Sequence, residues 1–126
     1  MASIVQVHEG VVVNNFALDK PRVTIGRDPE SRIFIDDKVV SLAHAVVETV
    51  EDPKNGEIHH YYIEDLESTN GTFVNDKKIT RQKLNHDDLI RVGWNTFKFV
   101  DETARKKEKT LKIHKSWIPR VYYTKE

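Results

Sequence analysis

The sequence predicts an all-β fold in which two packed sheets of short strands form a sandwich. About 10 to 11 short apolar runs, rich in β-branched residues, follow each other at nearly even spacing. Gly, Asn, Asp and Pro separate these runs, and no convincing long amphipathic helix occurs before Thr103. Many short strands with frequent turns are typical of two packed antiparallel or mixed sheets.

The strand positions follow from these turn residues. In the first half we predict strands over residues 4–7, 11–18, 23–25, 33–35, 45–51 and 59–64, with a hairpin turn at residues 52–56. In the second half, short pieces at residues 73–75, 78–79 and 82–84 precede a hairpin of residues 89–92 and 97–100. The expected core consists of Ile25, Phe34, Val46, Ile63, Phe73, Leu89, Val92, Phe97 and Phe99.

The length and composition restrict the protein class. A chain of 126 residues fits one domain with its own core. It contains no cysteine, which excludes disulfides and thiolate zinc sites and permits a reducing compartment. No apolar run approaches the roughly 20 residues needed to cross a bilayer, and residues 1–10 lack the regions of a secretory signal. We therefore expect a cytoplasmic protein with no membrane partner.

Charge divides the chain into an acidic body and a basic extension. Residues 104–126 contain eight Lys or Arg against two Glu, a net charge of +6, whereas residues 1–103 carry −6. Residues 101–112 are charged enough to form either a linker or a short helix capped by Thr103, and we expect the later, more apolar part of the extension to pack against a protein surface. Whether that is its own domain or a neighbouring chain stays open, so a homodimer through the extension is one alternative. We expect a domain at residues 1–103 and an extension at residues 104–126.

Three short motifs follow strand-like runs: Gly26-Arg27, Ser41-Leu42-Ala43-His44 and Ser68-Thr69-Asn70-Gly71-Thr72. They supply a guanidinium, hydroxyls, a side-chain amide and loop N–H groups. A phosphate monoester has about −1.5 to −2 charges and three acceptor oxygens, so its binding favours an arginine fork with short donors. The motifs therefore predict a binding module for phosphorylated protein.

The order and spacing of these motifs resemble the forkhead-associated (FHA) domain. The resemblance extends over residues 4–100 and includes the closing Asp87-Asp88-Leu89-Ile90-Arg91-Val92-Gly93 pattern. It implies a β-sandwich with the ligand loops at one end. It also implies a phosphothreonine-dependent interaction module, whose partner we expect to be a phosphothreonine-containing Ser/Thr kinase or a substrate of one.

Position by position, the resemblance implies that Arg27 and Ser41 bind the phosphate and that Thr69 adds a contact to it. Asn70 resembles the residue that hydrogen-bonds the ligand backbone just past the phosphothreonine. Three further positions, Gly26, His44 and Gly71, match residues that shape the loops without touching the ligand.

Two positions bear on the affinity and the selectivity of the domain for its ligand. Leu42 departs from the family, which often has Arg or another polar residue there, so one phosphate donor is missing. Val39 lies where such domains sense the ligand side chain three residues after the phosphothreonine. An apolar residue at Val39 favours Ile, Leu or Val over Asp at that ligand position.

Other functions have weaker support. Ser41 and His44 lack the elbow sequence that exposes a catalytic serine, so we expect no enzyme and no cofactor. His59 and His60 are adjacent on a strand and face opposite ways, so no metal site is expected.

The aromatic residues and the basic extension offer two further alternatives. We expect Trp94 and Trp117 to pack. Residues 104–126 combine charge with aromatic faces, but the acidic body would repel nucleic acid. The competing hypothesis is a phosphate-independent scaffold or oligomerisation domain that assembles through its surface and this extension, with Leu42 as its main support.

Overall fold

A computed structural model describes residues 2–103 of the chain, which form eleven strands. These are β1 (Ala2–His8), β2 (Val11–Ala17), β3 (Arg22–Gly26), β4 (Ile33–Phe34), β5 (Ala45–Glu51), β6 (His59–Asp65), β7 (Thr72–Val74), β8 (Lys77–Ile79), β9 (Arg81–Lys83), β10 (Leu89–Val92) and β11 (Asn95–Asp101). The predicted extension at residues 104–126, including its helix or linker, lies outside the described residues.

The strands form two sheets. One has six strands in the order β2-β1-β11-β10-β7-β8, and the other has five in the order β4-β3-β5-β6-β9. All strand pairs are antiparallel except β3 with β4, so the second sheet is mixed. The predicted β5–β6 and β10–β11 hairpins are both present. The sequence prediction of an all-β sandwich with about this number of strands is confirmed.

The core lies between the sheets. Six of the nine predicted core residues are at most 1% exposed: Ile25, Val46, Ile63, Val92, Phe97 and Phe99. Five of these belong to the hydrophobic cluster, whereas Val46 is buried on the other face of β5 from Ala45 and Val47. The other three predictions are wrong. Leu89 is 45% exposed and Phe34 46%, because successive residues of a strand face opposite sides and their neighbours Ile33, Ile35 and Ile90 are the buried ones.

Phe73 is half-buried on the outer face of its sheet. Its register partner on β10 is Arg91, whose guanidinium lies over the ring, 4.2 Å from the centroid. The aromatic ring is therefore covered by an arginine side chain and not by the core.

The sheet directions bring three loops to one end of the sandwich. β3 ends at Gly26, β5 begins at Ala45, and β6 ends at Asp65. Because β5 pairs antiparallel with both β3 and β6, the loops next to these three residues lie together. All three motifs that the sequence analysis predicts to bind phosphate lie at this end.

Two remaining expectations concern exposed aromatic residues and membrane spans. Trp94, in the β10–β11 turn, is 83% exposed, so the prediction that it packs is wrong. The turn faces the side chains of Val39 and Val40 through Gly93, and the Trp94 side chain is left in solvent. Trp117 lies outside the described residues.

Within residues 2–103, no helix has the length and apolar character to cross a membrane.

The alternation on β10 gives a direct test of the core. Replacing Ile90, which is 1% exposed, by Ala should lower the free energy of unfolding by about 2 to 5 kcal/mol, since a buried cavity is created. The neighbouring exposed Leu89→Ala is the matched control and should change it by less than about 1 kcal/mol. Urea denaturation of both variants measures the difference, and equal losses would contradict the assigned register.

Candidate functional site

Gly26 allows the first loop to lie directly against the second. A Cβ atom at Gly26 would lie 2.1 Å from the carbonyl oxygen of Leu42, a distance that no side chain can occupy. The main chains pair next to this contact, with the Arg27 N–H donating to the Ser41 carbonyl at 3.0 Å. The sequence predicts a loop-shaping role for Gly26, and this close approach gives that prediction a physical basis.

Arg27 is half-buried and its side chain is anchored at one nitrogen. Its Nε donates to the carbonyl of Val40 at 3.0 Å, which holds the guanidinium on the loop that carries Ser41. Arg27 has no salt-bridge partner within residues 2–103. The two terminal nitrogens therefore carry a positive charge that no carboxylate of this part of the chain neutralises.

Hydrogen bonds join the second and third loops, and the residues that form them are ones predicted to contact the ligand. The N–H of Thr69 donates to the hydroxyl of Ser41 at 3.0 Å, and the side-chain amide of Asn70 donates to the carbonyl of Val39 at 2.8 Å. Because the Ser41 oxygen accepts here, its hydrogen is free to be donated. The amide oxygen of Asn70 remains available as an acceptor. Thr69 and Asn70 are exposed.

His44 is fully buried and links the same loops from below. Its Nδ1 accepts from the Ser41 N–H at 3.1 Å, so its Nε2 carries the hydrogen and donates to the Gly71 carbonyl at 2.9 Å. Gly71 has a φ of 87°, in the left-handed region that favours glycine. These contacts give a physical basis for the predicted loop-shaping role of both residues, which stays a prediction.

Asp65 organises the third loop, a role that we did not predict. Its carboxylate accepts from the Ser68 N–H at 3.1 Å, the Ser68 hydroxyl and the Thr72 hydroxyl at 2.8 Å. The Ser68 hydroxyl oxygen in turn accepts from the Gly71 N–H at 2.9 Å. The spacing Asp-x-x-Ser, which favours side-chain to backbone bonds in turns, is the signal that could have revealed it.

These hydrogen bonds change the acidity of Asp65. Burial raises the pKa of its carboxyl, but the bonds from Ser68 and Thr72 lower it by more, so the pKa lies below its ordinary 3.8. The carboxylate is thus held ionised by donors of its own loop.

The two positions predicted to affect ligand affinity and selectivity, Leu42 and Val39, differ in exposure. Leu42 is 55% exposed, and its side chain has no hydrogen-bonding group. Val39 is half-buried and packs against the core, beneath the β10–β11 turn. A Cβ at Gly93 in that turn would lie 3.0 Å from the side chains of both Val39 and Val40. The selectivity role of Val39 stays a prediction.

Together these loops form one polar surface, which we call the rim: residues 26–28, 39–44 and 65–72. Arg27, Ser41, Thr69 and Asn70 all belong to it and are joined through the bonds above. The described residues contain no cluster of three or more His, Cys, Asp or Glu able to hold a metal. The Nε2 atom of His60 lies 2.9 Å from a carboxylate oxygen of Asp52, and these two residues form a pair and not a cluster of three. The rim offers a cation and hydrogen-bond donors, the chemistry that an anion requires.

Comparison with known protein families agrees with this geometry. The family model described as the FHA domain matches residues 23–93, more than half of the chain. The chain belongs to the FHA family. The match includes all four rim residues proposed to contact ligand, together with Gly26, His44 and Gly71.

Several curated relatives are regulators. The chain is 42% identical over 78 residues to the oxoglutarate dehydrogenase inhibitor of Corynebacterium efficiens, covering 62% of this chain and 50% of that protein. It is 34% identical over 95 residues to the glycogen accumulation regulator GarA of Mycolicibacterium smegmatis, covering 75% and 54%. The chain thus spans about half the length of these relatives.

Solved structures share the fold. Mycobacterium tuberculosis EmbR, in complex with a low-affinity phosphopeptide, is 30% identical with a TM-score of 0.66, covering 79% of this chain and 24% of EmbR. The FHA domain of CT664 from Chlamydia trachomatis is 26% identical with a TM-score of 0.68, covering 79% of this chain and 96% of that domain.

The contact at Gly26 predicts a position-specific cost. Gly26→Ala should lower the free energy of unfolding by about 3 kcal/mol, because the added methyl forces the Leu42 carbonyl to move. Gly56→Ala is the matched control, since its Cβ would meet only the flexible Glu51 carboxylate at 3.7 Å. Chemical denaturation compares the two, and a Gly26→Ala variant as stable as Gly56→Ala would show that the loops are not in contact.

The lowered pKa of Asp65 predicts a pH dependence. Its ionised form is bound more tightly in the folded chain, so its contribution is complete above pH 3.8 and is lost as the pH falls through the folded pKa. Asp65→Asn should therefore cost about 2 kcal/mol at pH 7 and progressively less in acid below pH 3.8. Thermal unfolding at several pH values measures this, with exposed Asp76→Asn as the control. A constant difference at all pH values would contradict it.

Proposed function

We propose that this chain is a phosphothreonine-dependent interaction module that recruits a phosphorylated protein and performs no chemistry. The observation that carries the proposal is the meeting of Arg27, Ser41 and Thr69 on one rim, where the arginine lacks a carboxylate partner within residues 2–103. Family membership and the regulatory names of the relatives support it.

In this proposal Arg27 and Ser41 bind the phosphate of the phosphothreonine. The terminal guanidinium nitrogens supply charge-assisted donors, and the free hydroxyl hydrogen of Ser41 supplies a short one. Thr69 adds its hydroxyl, while its N–H keeps Ser41 in place. The Asn70 amide group, fixed on the Val39 carbonyl, directs its remaining oxygen to a peptide N–H of the ligand.

The rim is held in place by its own hydrogen bonds, which lowers the cost of ordering it around a ligand. Because several donors are anchored in the loops, we propose that Leu42 weakens phosphate binding without abolishing it. The partner class in this proposal is a Ser/Thr kinase or its substrate, met in the cytoplasm. The domain in this proposal is residues 1–103.

Paired threonine peptides, with and without phosphate, test the proposal by fluorescence anisotropy. The phosphorylated peptide should bind more tightly, and Arg27→Ala should weaken it at least about 10-fold, the loss of one charged hydrogen bond. Arg22→Ala is the matched control, because Arg22 begins the strand that Gly26 ends and pairs with Glu48 at the far end. It should leave the affinity unchanged.

Two outcomes would reject recruitment through phosphate. Equal affinity for both peptides, undiminished in Arg27→Ala, would favour the phosphate-independent scaffold. An equal loss in Arg22→Ala and Arg27→Ala would assign the effect to overall charge and not to the rim. Circular dichroism of each variant confirms that the fold is retained.

A further inference from the structure

A groove of about 700 Å³ lies at the end of the sandwich opposite the rim. Its walls include Pro21, just before β3, and Glu51 and Asp101, which end β5 and β11. β3 and β5 run from this groove to the rim, so one length of strand separates the two. Leu18 and Tyr61, both nearly buried, give it an apolar floor.

The groove is acidic. Four carboxylates line it, those of Asp19, Glu51, Glu57 and Asp101, against one ammonium group, that of Lys20. Within residues 2–103 none of the four forms a salt bridge. Burial and the charge of Asp101 together raise the pKa of Tyr61 on the floor. Unneutralised carboxylates beside an apolar floor favour a ligand that is both basic and apolar.

The groove has two further features, an exposed apolar side chain and an unpaired hydroxyl. Ile58 at its edge is 47% exposed, so the apolar floor extends to an accessible side chain. The hydroxyl oxygen of Thr49 is buried there and has no hydrogen-bond partner among the described residues. Buried polar atoms are nearly always paired in folded proteins, so a donor or acceptor from another segment would complete this site.

The chain carries a matching segment that starts at the groove. Thr103, the last described residue, is part of the wall, and residues 104–126 follow it. This segment has a net charge of +6 and contains apolar residues at Leu111, Ile113 and in the stretch 117–123. A segment tethered at the groove is present at a millimolar effective concentration, well above that of a second chain in dilute solution.

We propose that residues 104–126 dock into this groove of their own chain. Their Lys and Arg side chains pair with the carboxylates of Asp19, Glu51, Glu57 and Asp101, and their apolar residues cover Leu18, Tyr61 and Ile58. Docking at this end leaves the rim open, so the segment stabilises the domain without competing with a phosphopeptide.

The absence of cysteine makes the test specific, because a single Ser116→Cys in the full chain accepts one nitroxide label. In ¹⁵N-labelled protein the label should selectively broaden the amide signals of Glu51 and Ile58 and leave those of Thr69 and Asn70 unchanged. Glu51→Lys/Glu57→Lys should abolish the broadening. Salt at 1 M should reduce it, since the screening length then falls to about 3 Å. Glu9→Lys/Glu30→Lys, with the same change in net charge away from the groove, should retain it.

Mixing experiments identify the chain that supplies the segment. Spin-labelled chains without ¹⁵N, added to ¹⁵N chains without label, should cause no groove broadening. Broadening in that mixture would instead show exchange between two chains and overturn the proposal. Broadening at the rim, none anywhere, or groove broadening that survives Glu51→Lys/Glu57→Lys would each overturn it as well. Phosphopeptide affinity, measured on the same variants, reports on the rim separately.

Discussion

The relative position of the three rim loops depends on one buried side chain, the imidazole of His44. Its two ring nitrogens contact Ser41 and Gly71 on different loops, while its main-chain N–H donates to Ile25 and its carbonyl accepts from Leu66. One residue thus joins the ends of β3 and β6 to the loop before β5. A buried group with both polar atoms paired specifies a single arrangement, because any shift would leave one of them unsatisfied.

The exposed residues of the rim add contacts between the same loops. Ser41 accepts from Thr69, and Asn70 donates to Val39, so the residues proposed to meet the ligand also hold each other. The close approach of Gly26 to Leu42 sets the distance between the first two loops. A site that is assembled before the ligand arrives spends little conformational entropy on binding. This preorganisation depends on short polar side chains and main-chain groups, with Arg27 supplying the charge.

Most strands and the membership of the rim were predictable because turn residues and ordered motifs are local signals. Which residues of each strand face the core was not predictable from the sequence. Phe34, Phe73 and Leu89 are apolar, yet their neighbours face the core, and the guanidinium of Arg91 covers Phe73. The Thr72 hydroxyl that donates to Asp65 and the carbonyl that holds Asn70 depend on folded geometry. The acidic groove joins residues from five separated segments, so no window of sequence contains it.

At Leu42 the main chain makes the contacts with the neighbouring loop, whereas the side chain is exposed to solvent. The carbonyl packs against Gly26 and accepts the N–H of Asp28, whereas the side chain projects 55% exposed into solvent. The Leu42 side chain is therefore not part of the core, and the residue's part in the loop pairing uses main-chain atoms alone. A hydrogen-bond donor placed at this side chain would therefore change the chemistry offered to an anion and leave the contacts of the main chain in place. The packing of the loops and the chemistry of the rim are thus carried by different atoms of one residue.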